Sequence, residues 1–329
     1  MAKKKTDGYG NLIADSEDLD IMLGALPPIR GTWYFVDPTS GLAANDGLSP
    51  GSAKASLKEA YDLCTDGAGD GICLMSAGTT SAGCTSYLTA ALTWSKSGIT
   101  VYGISSGTRK YGRARIANAA ASTNLANLIT MSGSNNRFMN VHMFNGGSNV
   151  AAVGCLSITG NRNAFENCHF VGAGHATPAA AVGAYDLEIA GGQENTFERC
   201  TFGTDTIIRA AANANIRFDG DAWRNAFYDC DVLCYSETAG KGAIMSVDAT
   251  GLDGFQVFSR CRFMAWKPNG LGSLTAAIIG TKPNSGQILF DSCTLVGWAA
   301  WGAAGMSGAF YVANSDATAS GAGGIATSV

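Results

Sequence analysis

Charge is scarce in this 329-residue sequence. Asp, Glu, Lys and Arg make up only 15% of it, against about 25% in an ordinary soluble domain. The formal net charge is −4, and the only basic run is Lys3-Lys4-Lys5. The clustered Lys and Arg of a nucleic-acid surface are therefore missing, and no nucleic-acid partner is expected. No run of about 18 apolar residues occurs, so no membrane-spanning helix is expected. The N-terminus, MAKKKTDGYGNLIADSEDLD, has a basic start with no apolar stretch behind it, so it does not read as a secretory signal peptide. Synthesis and folding in a reducing cytoplasm are expected. No Cys-x-x-Cys pair is present. Cys230 and Cys234 stand four apart with no second His/Cys pair at zinc spacing, so no structural zinc is expected.

What replaces the charge is mostly small. There are 43 glycines, near twice the usual share of about 7%, and Ala, Ser, Thr and Asn are abundant. The glycines do not recur every third residue, which excludes collagen. Apolar residues make up 46%, with 14 Phe, enough for a core and too many for a disordered chain. Ten cysteines are too dilute over this length for a disulfide scaffold.

One pattern recurs: apolar-x-apolar-x-Gly, a polar turn, then Phe-x-x-Cys-x-apolar. Its copies run Ile129, Met131, Gly133, Phe138, Val141, Met143; then Leu156, Ile158, Gly160, Phe165, Cys168, Phe170. They continue with Leu187, Ile189, Gly191, Phe197, Cys200, Phe202 and with Ile216, Phe218, Gly220, Phe227, Cys230, Val232. Looser copies surround Phe258, Cys261, Phe263 and Phe290, Cys293, Leu295. The six phenylalanines follow at intervals of 27, 32, 30, 31 and 32 residues. Five cysteines keep an offset of three from Phe, with Val141 in the first copy. Asn136, Asn163, Asn195 and Asn225 each stand two residues before Phe.

Within a copy the apolar residues alternate with period two, as on half-buried strands. No 3.6-residue apolar stripe lies between copies. Short strands repeating near every 30 residues fit the rung of a parallel β-helix, with rungs about 4.8 Å apart. Phe138, Phe165, Phe197, Phe227, Phe258 and Phe290 would form one interior column. Cys168, Cys200, Cys230, Cys261 and Cys293 would form another. In-register stacking holds Cβ atoms nearer about 4.8 Å than the about 3.8 Å of a disulfide, so free thiols are expected. Glu166-Asn167, Glu198-Arg199, Tyr228-Asp229, Ser259-Arg260 and Asp291-Ser292 read as two-residue corners. Arg199, Asp229 and Arg260 fall at equivalent positions, as do Asp231 and Arg262, and the opposite charges among them would attract.

Ahead of the repeat, Thr32–Val36 reads as a strand. Ser56 and Glu59 form a capping box, which opens a short helix with Leu57, Ala60, Tyr61 and Cys64 on its apolar face. Such a helix would cover the open end of the stack. A strand follows around Ile72–Met75. Three segments result: an N-terminal arm at 1–31, the repeat at 32–298, and a C-terminal cap with a Gly/Ala/Ser tail at 299–329. Ser16–Leu26 reads as a short helix stopped by Pro27-Pro28, or as a loose tail.

The stretch YFVDPTSGLAANDGLSPGSAKASLKEAYDLC, residues 34–64, resembles the entry segment of pectin-lyase-like proteins. With the rung pattern, the resemblance covers residues 32–298. It implies an all-β fold, a single-stranded right-handed parallel β-helix with an N-terminal capping helix. That family holds polysaccharide lyases and hydrolases, phage tailspikes and non-catalytic virion proteins.

Its enzymes need several acidic residues on one outer face, either as calcium ligands or as a carboxylate pair. The candidates are Asp186, Asp205, Asp219, Asp221, Asp229 and Asp231. Turn-capping and salt bridges account for them, and no enzyme motif of the family matches. No catalytic residue, metal site or cofactor is therefore assigned. His142 and His169 occupy one position on adjacent rungs and read either as an exposed ladder or as two metal ligands. The expected function is a non-enzymatic structural protein of a tailed-phage virion. Within that class, a capsid decoration (cement) protein is expected, a homotrimer attached to the major capsid protein or another virion protein through residues 1–31. The alternatives are a tailspike or polysaccharide-cleaving enzyme and a carbohydrate-binding module.

Overall fold

The computed structural model describes residues 26–75, 85–104, 114–268 and 273–315. Most of the N-terminal arm and of the Gly/Ala/Ser tail lies outside these residues. Three parallel sheets are formed, of ten, eight and eight strands. The chain visits them in turn. Thr100–Ile104 lies in the first sheet, Ala114–Asn118 in the second and Asn127–Met131 in the third, and Arg137–Met139 returns to the first. Each return pairs parallel and in register with the strand one circuit earlier. The molecule is thus an all-β parallel β-helix with very little helix. Among the described residues, no helix is long and apolar enough to cross a membrane.

The register explains the sequence pattern. Phe138 pairs with Phe165, Phe165 with Phe197, Phe197 with Phe227, Phe227 with Phe258, and Phe258 with Phe290. All six side chains point inward and are buried. Successive ring centroids lie 5.4, 4.9, 4.7, 4.2 and 5.4 Å apart in stacked orientation. Tyr61 and Trp94 continue this aromatic column at one end, and Trp301 packs on Phe290 at the other. Aliphatic columns from the other sheets fill the rest of the core, including Ile129, Leu156, Leu187 and Ile216 in register on the third sheet.

The recurring asparagines form a buried polar ladder inside this apolar stack. The Oδ1 of Asn163 accepts from the backbone N–H and the Nδ2 of Asn136, at 2.9 and 3.1 Å. Asn195 does the same for Asn163, and Asn225 for Asn195. Each Nδ2 also donates to a glycine carbonyl, Gly133, Gly160 or Gly192. Gln256 takes the next place, its Oε1 accepting from Asn225. These side chains satisfy backbone groups where the chain turns and no sheet partner is present.

The second residue of each Phe–Cys corner is left-handed. Asn167, Arg199, Asp229, Arg260 and Ser292 have φ between 49° and 55°. An L-residue there costs about 1–2 kcal/mol relative to its preferred regions, and the bonded circuits on both sides hold it in place. At Gly160 the constraint is space: an added Cβ would lie 2.0 Å from the carbonyl oxygen of Gly133.

The helix Leu57–Leu63 starts at Ser56, and both halves of its capping box with Glu59 are made. It buries Leu57, Ala60 and Tyr61 in the core beside the first circuits. The stack runs further than the repeat pattern indicated. Trp298–Gly302 and Phe310–Ala313 are strands of the third and first sheets. They lack the Phe-x-x-Cys signature, but Trp298, Trp301 and Phe310 supply apolar bulk packed in the core.

Phe197→Ala removes a ring stacked on both sides and is expected to cost about 3–5 kcal/mol, read by chemical denaturation. Asn195→Leu leaves the N–H of Asn163 and the carbonyl of Gly160 without a partner. It is expected to cost at least about 2 kcal/mol despite its similar volume, read in the same way.

Candidate functional site

The outer faces carry the groups available for chemistry. Facing positions on neighbouring circuits are about 4.8 Å apart, so a long arginine readily reaches an acid one circuit away. The carboxylate of Asp229 accepts two bonds from Arg260, at 2.9 and 2.8 Å. Asp231 accepts two from Arg262, at 2.6 and 2.7 Å. Glu166 is held by Arg137 and Arg199, and Glu194 by Arg162 and Arg224. Arg199 shares a column with Asp229 but bonds Glu166 and Glu198 instead, reaching back one circuit.

The other acidic candidates are dispersed. Asp186 is fully buried, and its carboxylate accepts from the Gly172 N–H, Arg209 Nη2 and Asn215 Nδ2 at 2.7–2.8 Å. Asp219 ends the strand Ala214–Asp219, and Asp221 sits exposed in the turn after it with φ 65°. Asp205 is exposed. These residues are not brought together over one cleft.

His142 and His169 stack on the outer face of the second sheet, ring centroids 4.4 Å apart and 9° from parallel. Arg115 precedes them in the column and Thr201 follows. The Nε2 of His169 lies 2.7 Å from the carbonyl oxygen of Gly203. Among the described residues, no group of three or more His, Cys, Asp or Glu is placed to hold a metal ion. A cationic Arg115 beside the imidazoles also disfavours a bound cation.

Cys168, Cys200, Cys230, Cys261 and Cys293 line the interior, each Sγ 3.3–3.5 Å from the phenylalanine carbonyl of the preceding circuit. The nine described cysteines are free and buried; Cys84 lies outside the described residues. Burial pushes the Cys73 thiol up to about 12, which makes it a poor nucleophile near neutral pH.

A cluster on the third sheet escaped the sequence reading. The Glu188 Oε2 accepts from Ser157 Oγ at 2.9 Å and lies 3.1 Å from Tyr185 Oη. Tyr185 Oη donates to Asn127 Oδ1 at 2.6 Å. Arg217 lies over the Tyr185 ring at 4.9 Å, with Nη2 3.5 Å from Glu188 Oε1. Ser157, Glu188 and Arg217 share one register position, so aligning the repeats could have found three of these residues. Tyr185 comes from a loop and carried no signal. Burial and the nearby Glu188 push the Tyr185 phenol well above its usual range, so it is no base. Glu188 faces hydroxyls and an arginine here, not the second carboxylate that glycoside hydrolysis uses. The cluster ties four circuits together.

On the second sheet, a groove of about 220 Å³ is lined by Thr85, Tyr87, Arg115, Asn118 and Phe144, among others. Ligand pockets are usually about 300–1,000 Å³, and no carboxylate lines this one.

No family model and no curated protein matches the chain. Among solved structures it is similar to a pectin methylesterase from Aspergillus niger, at 18% identity over 88% of this chain and 86% of that one, TM-score 0.55. It is similar to the pectin methylesterase PemA from Erwinia chrysanthemi, at 15% identity over 85% and 80%, TM-score 0.54. A rhamnogalacturonan lyase matches at 14% identity over 81% and 74%, TM-score 0.51. At such identities these likenesses show the parallel β-helix fold alone.

The raised thiol pKa has a pH consequence. Below about pH 8.5 folded and unfolded chains both keep the Cys73 proton, and its contribution to stability is complete. Above that, the unfolded chain deprotonates first, and stability falls by up to about 1.4 kcal/mol per pH unit until the folded thiol titrates. Cys73→Ala is expected to flatten the fall in stability measured between about pH 9 and pH 12.

Proposed function

We propose that this chain is a non-enzymatic structural protein of a tailed-phage virion. In this reading it decorates the capsid, assembles as a homotrimer, and attaches to the major capsid protein or another virion protein through residues 1–31. The observation that carries the reading is the treatment of the outer-face acids. Glu166, Glu188, Glu194, Asp229 and Asp231 each meet an arginine of a neighbouring circuit. Glycoside hydrolysis needs a pair of carboxylates facing the substrate, and here each of these acids turns to an arginine. Bound in this way, the same residues clip one circuit to the next, which suits a rigid building part. The resemblance of residues 34–64 to the family's entry segment supports a place in a group that includes virion proteins.

The second reading is a tailspike or other enzyme that cleaves a surface polysaccharide. The likeness to pectin methylesterase and rhamnogalacturonan lyase structures favours it. Glu188, beside Tyr185 and Arg217 on an outer face, is the group on which it would rest.

The test combines three measurements. Mass spectrometry of virions purified from a phage carrying the gene is expected to find the protein with the heads. Light scattering is expected to give three copies per particle. Esterase and lyase assays on pectin and rhamnogalacturonan are expected to give no signal. A stable monomer that fails to bind capsids overturns the decoration reading. Turnover that Glu188→Gln reduces by about tenfold or more establishes the enzymatic one.

A further inference from the structure

A buried polar group lies where the second sheet turns toward the third. Cys234 lies in the strand Asp231–Tyr235, and Lys241 directly precedes the strand Gly242–Ser246. Both side chains are fully buried. They converge on the same two oxygens. Asn215 Oδ1 accepts from Cys234 Sγ at 2.6 Å and from Lys241 Nζ at 2.7 Å. The carbonyl oxygen of Gly242 accepts from Lys241 Nζ at 2.6 Å and lies 3.7 Å from Cys234 Sγ. The thiol and the amine thus share both acceptors.

This arrangement is unusual for a buried lysine, which is ordinarily paired with a carboxylate. The nearby carboxylate, Asp186, is bonded to Arg209, Asn215 Nδ2 and the Gly172 N–H. Burial brings the Lys241 amine down to about 8, so a sizeable fraction is neutral and nucleophilic near physiological pH. The indole of Trp298 donates to the Lys241 carbonyl and helps fix the lysine backbone.

We propose that Cys234 and Lys241 are a covalent modification site, where dioxygen links Sγ to Nζ through one bridging oxygen atom. The step balances. The thiol gives up its hydrogen and the amine one of its two. One oxygen atom bridges sulfur and nitrogen, and the other leaves as water with both hydrogens. Sulfur and nitrogen are each oxidised by two electrons, and dioxygen is reduced by four. The bridge closes the turn 235–240 and locks this corner of the β-helix. Two dithiols supply the four electrons and four hydrogens that return the thiol and the amine and release the bridging oxygen as water, so the corner would be locked only under oxidising conditions.

Tryptic mapping of the full chain tests this directly. Trypsin cuts after Arg224, Lys241 and Arg260, but a bridged Lys241 resists cleavage. Protein held under oxygen is expected to give a joined peptide spanning residues 225–260, about 14 Da heavier than the same sequence unmodified. It is expected to rise about tenfold over an argon control. Dithiothreitol is expected to restore the 225–241 peptide. Cys234→Ala and Lys241→Arg are each expected to abolish the joined species, the second while keeping the cleavage site. If either variant fails to fold, the oxygen and dithiothreitol dependence of the wild-type chain decides. Equal cleavage at Lys241 under both gases overturns the proposal. So does a 225–241 peptide heavier by about 16 or 32 Da, which marks oxidation of a cysteine alone. A 225–241 peptide lighter by about 2 Da also overturns it, because that marks a disulfide between Cys230 and Cys234.

Discussion

Parallel, in-register pairing between successive circuits is the constraint on which the rest of this molecule depends. Each circuit leaves one row of backbone N–H and C=O groups for the circuit above and another for the circuit below. A shift of one residue would turn every inward side chain outward. Repeating the register therefore places like above like, Phe over Phe and Cys over Cys. Burying such columns favours folding, but only when neighbours are present, since a single circuit has nothing to cover its apolar face.

The corners and the asparagine ladder follow from the same requirement. A circuit must turn sharply, and a turn breaks the sheet hydrogen bonds. Asn163 and Asn195 restore them with side-chain amides that bridge circuits. Left-handed residues such as Asn167 and Ser292 turn the chain at a local cost. The ladder uses uncharged amides, the columns inside are apolar, and charge falls mainly at corners and on outer faces. A chain built in this way has few positions where charge belongs, which accounts for its low content of Asp, Glu, Lys and Arg.

The few charges kept on the outside are largely arranged between circuits. Exposed pairs of this kind contribute little individually, yet they oppose register slippage because each partner is met at only one stagger. The same fold occurs in pectin methylesterases and a rhamnogalacturonan lyase, and the fold by itself does not set function.

The 27–32 residue interval of the phenylalanines determined the β-helix, its interior columns and the pairs Asp229–Arg260 and Asp231–Arg262. Those features are contacts at one circuit's separation, and a repeat writes that separation into the chain. The Ser56–Glu59 capping box was legible for a similar reason, being a local contact. The tertiary structure decided what crosses between corners. It chose Glu166 over Asp229 as the partner of Arg199. It added the strands of 298–313, whose bulk comes from Trp and not from the Phe-x-x-Cys pattern. It assembled Tyr185 with Glu188 and Arg217, and Lys241 with Cys234 and Asn215. In each group one member, Tyr185 or Lys241, comes from a segment between strands, where unequal lengths leave no fixed spacing to the others. Only the folded path of the chain sets which side chains meet there.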